Sequence, residues 1–413
     1  MNWIALRPAL LRTCPLRLLV SLLVSLFAWP LVFPSATAAA SDMPAPASAG
    51  VDLKRGLVVL AQFPDVQHDG NRDFVRTRFA GHLNSYVREM SYGKVALSID
   101  VTPVWHTLPE PVDRYRISPR NLEVDKSRVH KLINDALDAL GKDVDLAQYD
   151  FIALMLGAKV SDYGMVGLCG YPGMLGWSTE DAYRTTSGRE VRGGVAIFTS
   201  QAHLGTLFHD VAHILGGVQG GRRAAPCLYD HDMQAKPGPM RETFLSSIIN
   251  MGFWDPMSCH FYKRELPPPG ISSWTKLRLG WLDPAKVRVV PPGQSMEVLL
   301  GPLEDAASET LAIRLPLSGS TSYLVENRQP LGFDKFLPGS GVLIMRADDA
   351  VAECRFGRSP VKLVDANPAI PHLEGAAFDV GGNAVFQDAP NNIRIKILEK
   401  VGSSYRISIE RGR

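Results

Sequence analysis

Beyond Val287 the chain never returns to a helical period. The segments SMEVLLGPL, ETLAIRLPL, TSYLVENRQ, GSGVLIMRADD, VKLVDANP, NIRIKILEK and SYRISIERG are of strand length and mostly alternate apolar with polar residues, with turn signals between them. Strands of this kind are half-buried and must pair and stack to hide their apolar faces. The pattern predicts a β-rich, sandwich-like module over residues 287–413. The preceding half reads differently. GLVVLAQFPDV is an apolar run of strand length ended by Pro64-Asp65. Helical spacing follows at Phe74, Phe79, Leu83, Tyr86, Val87 and Met90, and strand alternation sets in after Gly93. SRVHKLINDALDALGK is an amphipathic helix ended by Gly141, YDFIALMLG a buried strand, and GVAIFTS a short strand of edge type. The Gly- and Tyr-rich stretch 159–194 reads as a long irregular loop. Helical spacing returns over Ala202–Leu215 and again in ISSWTKLRLGWLDP. The predicted class is therefore α+β, with one α/β domain over 54–286 and the β-rich module after it.

The N-terminus differs in kind. A basic head without an acid precedes LLVSLLVSLFAWPLVF and small residues ending in Ala38-Ala39-Ala40, which reads as a secretory signal over 1–40 cleaved near Ala40. An uncleaved membrane anchor is the competing reading; Pro30 within the run and the A-x-A ending speak against it. Residues 41–53, rich in Pro, Ala and Ser, read as a linker. The expectation is a secreted or periplasmic protein with no membrane span after signal removal. Lys+Arg total 44 against 42 Asp+Glu, a formal charge of +2, with no dense basic run, which disfavours a nucleic-acid partner. Cys14 leaves with the signal. Cys169, Cys227, Cys259 and Cys354 remain, an even number compatible with two disulfides in an exported protein. Cysteine ligation of a metal is the alternative, although none of the four sits in a C-x-x-C pair.

Chemistry concentrates in FHDVAHILGGVQG, Phe208 to Gly220. Residues four apart on a helix share a face, so His209 and His213 point the same way at a spacing that grips one metal ion. The rest of the helix is apolar, and a neutral buried imidazole is a preferred zinc ligand. Gly216 allows a sharp turn that returns a third ligand. The bland competitor is a core helix that happens to hold two histidines.

Flanking segments bear on that choice. GLVVLAQFPDV and SYGK lie upstream; WDPMS, KLRLGW and ENRQPLGFDKFLPGSGVLI lie downstream. Together with the helix they resemble, in order and from about Gly56 to Asn367, the immune inhibitor A family of secreted bacterial metallopeptidases and the related gametolysin-like proteins. The resemblance implies a zincin-like (metzincin-like) metallopeptidase domain that binds Zn2+ and hydrolyses peptide bonds of a protein or peptide substrate. It places His209 and His213 on the metal, Met257 as the structural methionine beneath it, Asp210 at the general base and Gln219 at the third ligand. Glu326 and Asp365 fall at β-module positions of structural character.

Two of those positions depart from the family pattern H-E-x-x-H-x-x-G-x-x-D. Asp210 is one methylene shorter than glutamate, which retracts the carboxylate by roughly 1.5 Å, and a misplacement on the order of 1 Å can cost a hundredfold in rate. Gln219 ligates zinc weakly and lacks the charge of an aspartate. In CLYDHDMQ, Asp230, His231 and Asp232 are metal-capable, with Asp232 the alternative third ligand. His260 is a further candidate near the metal, and Tyr229 or Tyr262 a candidate oxyanion donor. Two readings follow: an exported zinc peptidase-like hydrolase of weakened activity, or a catalytically silent relative acting as a secreted binding module. A β-rich exported protein with an accidental histidine pair is the third. No G-x-S-x-G, phosphate loop or nucleotide fingerprint competes with them.

Overall fold

The computed structural model describes residues 50–117, 124–177, 183–229, 250–355 and 357–412. The expected signal and most of the expected linker lie outside them, as do Asp230, His231 and Asp232. Five strands form the path of the first sheet: β1 (Asp52–Gln62), β2 (Val95–Val101), β4 (Phe151–Leu156), β5 (Gly167–Tyr171) and β8 (Val195–Thr199), in the order β2-β1-β4-β8-β5. A short β3 (His106–Thr107) pairs with β1, and β6 (Tyr183–Arg184) and β7 (Glu190–Val191) form a separate hairpin. Four of the strands on the path run parallel, and β5 closes the edge antiparallel to β8.

The strand sequences explain the layering. A parallel sheet is covered on both faces, so its strands read as nearly unbroken apolar runs. Along β1 and β4, Val58, Leu60, Ala153 and Met155 face one core; Leu57, Val59, Ile152 and Leu154 face the other. The second core is closed by α3 (Lys126–Asp138), whose Val129, Leu132, Ile133, Ala136 and Leu137 are buried. Over the first lie α1 (Arg72–Arg76), a π-helical stretch Thr77–Leu83, α2 (Asn84–Met90), and α5 (Leu204–Gly216). The one-turn α4 (Val160–Tyr163) precedes β5. GVAIFTS is thus an interior strand, and the edge comes from the stretch that reads as an irregular loop. β5 is only Gly-Leu-Cys-Gly-Tyr, too short and too glycine-rich to show a period.

The C-terminal strands form two antiparallel-rich sheets. One has the order β11-β13-β14-β15-β16, with β11 (Val287–Val289), β13 (Ala312–Pro316), β14 (Thr321–Arg328), β15 (Gly341–Asp348) and β16 (Val361–Leu363). The other has β12-β19-β18-β17, with β12 (Met296–Leu300), β17 (Val385–Asp388), β18 (Ile393–Val401) and β19 (Ser404–Arg411). Ile313, Val325 and Ile344 of the first sheet share a core with Val298, Ile395 and Ile407 of the second. The opposite face of the first sheet is also buried. Leu324, Leu343 and Met345 belong to the same cluster as Phe208, Met257 and Trp254, so the sequence boundary at 286/287 does not divide the core. Residues from Ala49 onward form one compact unit. The whole is a mixed α/β structure with several sheets and few helices. No helix among the described residues is long and apolar enough to cross a membrane.

Candidate metal centre

Helix α5 carries the histidine pair because nearly all of it is buried. From Gly205 to Ile214 every residue is inaccessible, so the imidazoles project into protein rather than solvent. His203 caps its N-terminus, its Nδ1 accepting Gly205 N–H. Gly205 is required for packing: a Cβ there would lie 1.6 Å from the His260 carbonyl oxygen.

The tautomers are set from outside the helix. His209 Nδ1 donates to Pro256 O at 3.0 Å and His213 Nδ1 to Ala225 O at 2.6 Å. In the neutral ring each Nε2 is therefore the unprotonated nitrogen, the arrangement that orients histidine ligands in metal sites. Both Nε2 atoms lie 3.4 Å from Cys227 Sγ. His209, His213 and Cys227 are all buried, and together they form the one group among the described residues that can hold a metal ion.

The route of the chain explains why the third donor is Cys227. After α5, Gly217 adopts φ +62° and leads into a hairpin of β9 (Val218–Gln219) and β10 (Arg222–Arg223). Its two turn residues, Gly220 and Gly221, both have positive φ, as a tight two-residue hairpin turn demands. The hairpin carries Gln219 to an exposed tip and sends the chain back beneath the helix. There Ala225 O meets His213, Cys227 meets both rings, and Leu228 N donates to Met257 O at 2.8 Å. No disulfide joins the cysteines among the described residues: Cys169 and Cys259 carry free thiols, and Cys227 faces the histidines.

A cationic side chain reaches the Cys227 sulfur. Arg223 Nη2 lies 3.7 Å from that sulfur, and Arg223 is held by a bidentate pair to Glu353 at 2.7 and 2.8 Å. A guanidinium beside a sulfur favours its charged form. Burial, followed by the Arg223 charge, lowers His213 to about 4, keeping it neutral as a ligand must be.

Met257 is fully buried, in a turn built by Asp255. Asp255 Oδ1 accepts Met257 N–H; its Oδ2 accepts Ser272 N–H and the hydroxyls of Ser272 and Thr275. This ties the turn to α6 (Ser273–Arg278). Glu326 accepts Ser273 N–H, and Arg328 donates to Trp254 O and Asp334, so the ENRQ segment holds the same turn from the sandwich side. Asp365 accepts the Asn367 N–H, a local turn contact.

The other candidates separate by position. Asp210 is buried beside β5; burial pushes its carboxyl up to about 7, against the opposing pull of His209. Its Oδ2 has no hydrogen-bond partner among the described residues. A Cβ on Gly167 would meet that oxygen at 3.0 Å, so the strand's glycine makes room for the acid. Tyr229 Oη lies 3.4 Å from His209 Nε2, the rings stacked at 5.3 Å. Tyr262 is elsewhere, donating to Glu374. His260 packs 4.6 Å from the His209 ring. Arg223 and Glu353 had no signal in the sequence, since their relation to Cys227 exists only in three dimensions. No protein-family model and no curated protein matches the chain.

Proposed function

We propose that this protein is an exported, zincin-like metallopeptidase-type hydrolase whose zinc is held by His209, His213 and Cys227. The observation that carries the reading is the convergence of two Nε2 atoms and one sulfur, each N···S separation 3.4 Å. Zinc with Zn–S of about 2.3 Å and Zn–N of about 2.0 Å at tetrahedral angles separates sulfur from nitrogen by about 3.5 Å, so the donors fit the ion. Zinc held there would supply Lewis acidity and would make a bound water more acidic. Asp210 is the general base and acid: a carboxyl poised near 7 can take a proton and return it to a leaving amine at neutral pH. Its short side chain makes the enzyme slow.

A second reading has its own observation. Tyr229 Oη stands 3.4 Å from His209 Nε2 and is hydrogen-bonded to Cys227, so a protein hydroxyl already faces the donor set. That favours a zinc-bearing relative without turnover, acting as a secreted binding module. The two separate in one experiment: elemental analysis of purified protein, and cleavage of a broad peptide mixture by wild type, Asp210→Asn and Asp210→Glu. The first reading expects one zinc per chain and slow cleavage that Asp210→Asn abolishes. Cleavage by Asp210→Glu alone establishes the second reading. Absence of zinc defeats both.

A further inference from the structure

We propose that His260 is a catalytic residue, its Nε2 donating a hydrogen bond to the substrate's scissile carbonyl oxygen at the His209–His213–Cys227 centre. This rests on the hydrolase reading given above. Three observations lead to it. His260 Nε2 is buried and has no hydrogen-bond partner among the described residues. Buried polar atoms are nearly always satisfied, so an orphan beside a candidate metal centre points to a partner that arrives with a ligand. The ring also lies beside the candidate centre, 4.6 Å from the His209 ring and 6.2 Å from that of Tyr229. Yet His260 is not one of the metal donors: its nitrogens fall outside the group of mutually close ligand atoms formed by the other three residues.

The protein prepares this nitrogen as a donor. Thr206, on the turn of α5 before His209, places Oγ1 3.0 Å from His260 Nδ1. When the hydroxyl donates to Nδ1, the proton of the neutral imidazole resides on Nε2. The backbone is fixed as well. Gly205 lets the His260 carbonyl approach the helix within a distance that any side chain would block. A donor held in advance on rigid elements is what stabilises charge developing on a carbonyl oxygen.

The test uses the full zinc-loaded protein and acetohydroxamate, a small carbonyl-bearing zinc ligand, as probe. Zinc content by elemental analysis and acetohydroxamate affinity by calorimetry are measured for wild type, His260→Ala, His260→Gln and Thr206→Val. The expected result is one zinc in every protein and an affinity weakened about tenfold in His260→Ala, the worth of one hydrogen bond. Thr206→Val, which frees the tautomer, weakens it as well, and His260→Gln, which restores an N–H donor, recovers part of the loss. Unchanged affinity in His260→Ala with zinc retained overturns the role of His260 alone. Loss of zinc from His260→Ala overturns it too, because the residue then holds the metal or the turn. Absence of zinc from wild type overturns the metal reading and this one with it.

Discussion

At the scale of single residues, the centre depends on which side chain supplies the third donor. Gln219 sits at the spacing a third ligand has in the resembling family, but it rides an exposed hairpin tip, whereas Cys227 Sγ is buried at 3.4 Å from both imidazoles. Partners outside the coordination sphere are themselves worth 10–100-fold in metal affinity, so loss of a thiolate ligand must cost more. Cys227→Ser is therefore expected to weaken zinc binding by more than about a hundredfold in competition with a chromophoric chelator, while Gln219→Ala leaves it unchanged. The opposite pattern would remove Cys227 from the centre. Arg223 and Glu353 predict a smaller effect of the same sign. Glu353→Gln frees the guanidinium beside the sulfur, and about a tenfold loss of zinc affinity is expected, with the far-ultraviolet circular dichroism unaltered.

Elements explain what could be read in advance. The buried strand Phe151–Leu156, helix α5 and most of the sandwich strands announce themselves by runs and periods, which are local properties. The third donor does not, because its distance from His213 is set by a reversal at Gly220-Gly221 and by pairing of the returning chain with the Met257 turn. Edge strand β5 was hidden for a related reason: its pairing with β8 is long-range and its five residues carry no pattern. Packing between elements is equally demanding. Gly205→Ala drives a methyl into the His260 carbonyl, and a loss of about 2 kcal/mol in urea unfolding is expected, with the turn displaced from α5. Lys276 docks α6 on the end of α2, its Nζ donating to Met90 O. Burial lowers this lysine from 10.5 to about 8. Between those values the unfolded chain holds the proton and the folded protein does not, so stability rises with pH across that window. The shift corresponds to about 3 kcal/mol. Lys276→Met should flatten the rise in urea midpoint between pH 8 and pH 10.5 relative to wild type; an unchanged slope would show that the lysine is not responsible.

For the whole molecule, the question is whether the sandwich is an appendage or a part of the site. The apolar face of β14 and β15 that looks away from the sandwich core, with Leu324, Leu343 and Met345, lies in the same cluster as Phe208 of the histidine helix and Met257 of the turn. Polar ties cross the same boundary. Arg328 donates to Trp254 O, Glu326 accepts from Ser273, and Glu353 holds Arg223 beside Cys227. A chain ending at residue 286 would therefore expose the apolar underside of the turn, strand the Trp254 carbonyl, and leave Arg223 as an unpaired buried cation, each an unfavourable change of a few kcal/mol. Such losses rival the whole stability of a domain. Residues 50–286 expressed alone are expected to bind a hydrophobic dye, to melt without a cooperative transition, and to retain no zinc after gel filtration. A cooperatively folded fragment that keeps one zinc would instead make the sandwich an independent module. If the fragment fails and the sandwich added in trans restores zinc binding, the interface itself is the missing component. That outcome would place the C-terminal strands among the parts that build the centre, which is where the Glu353–Arg223–Cys227 chain already puts them.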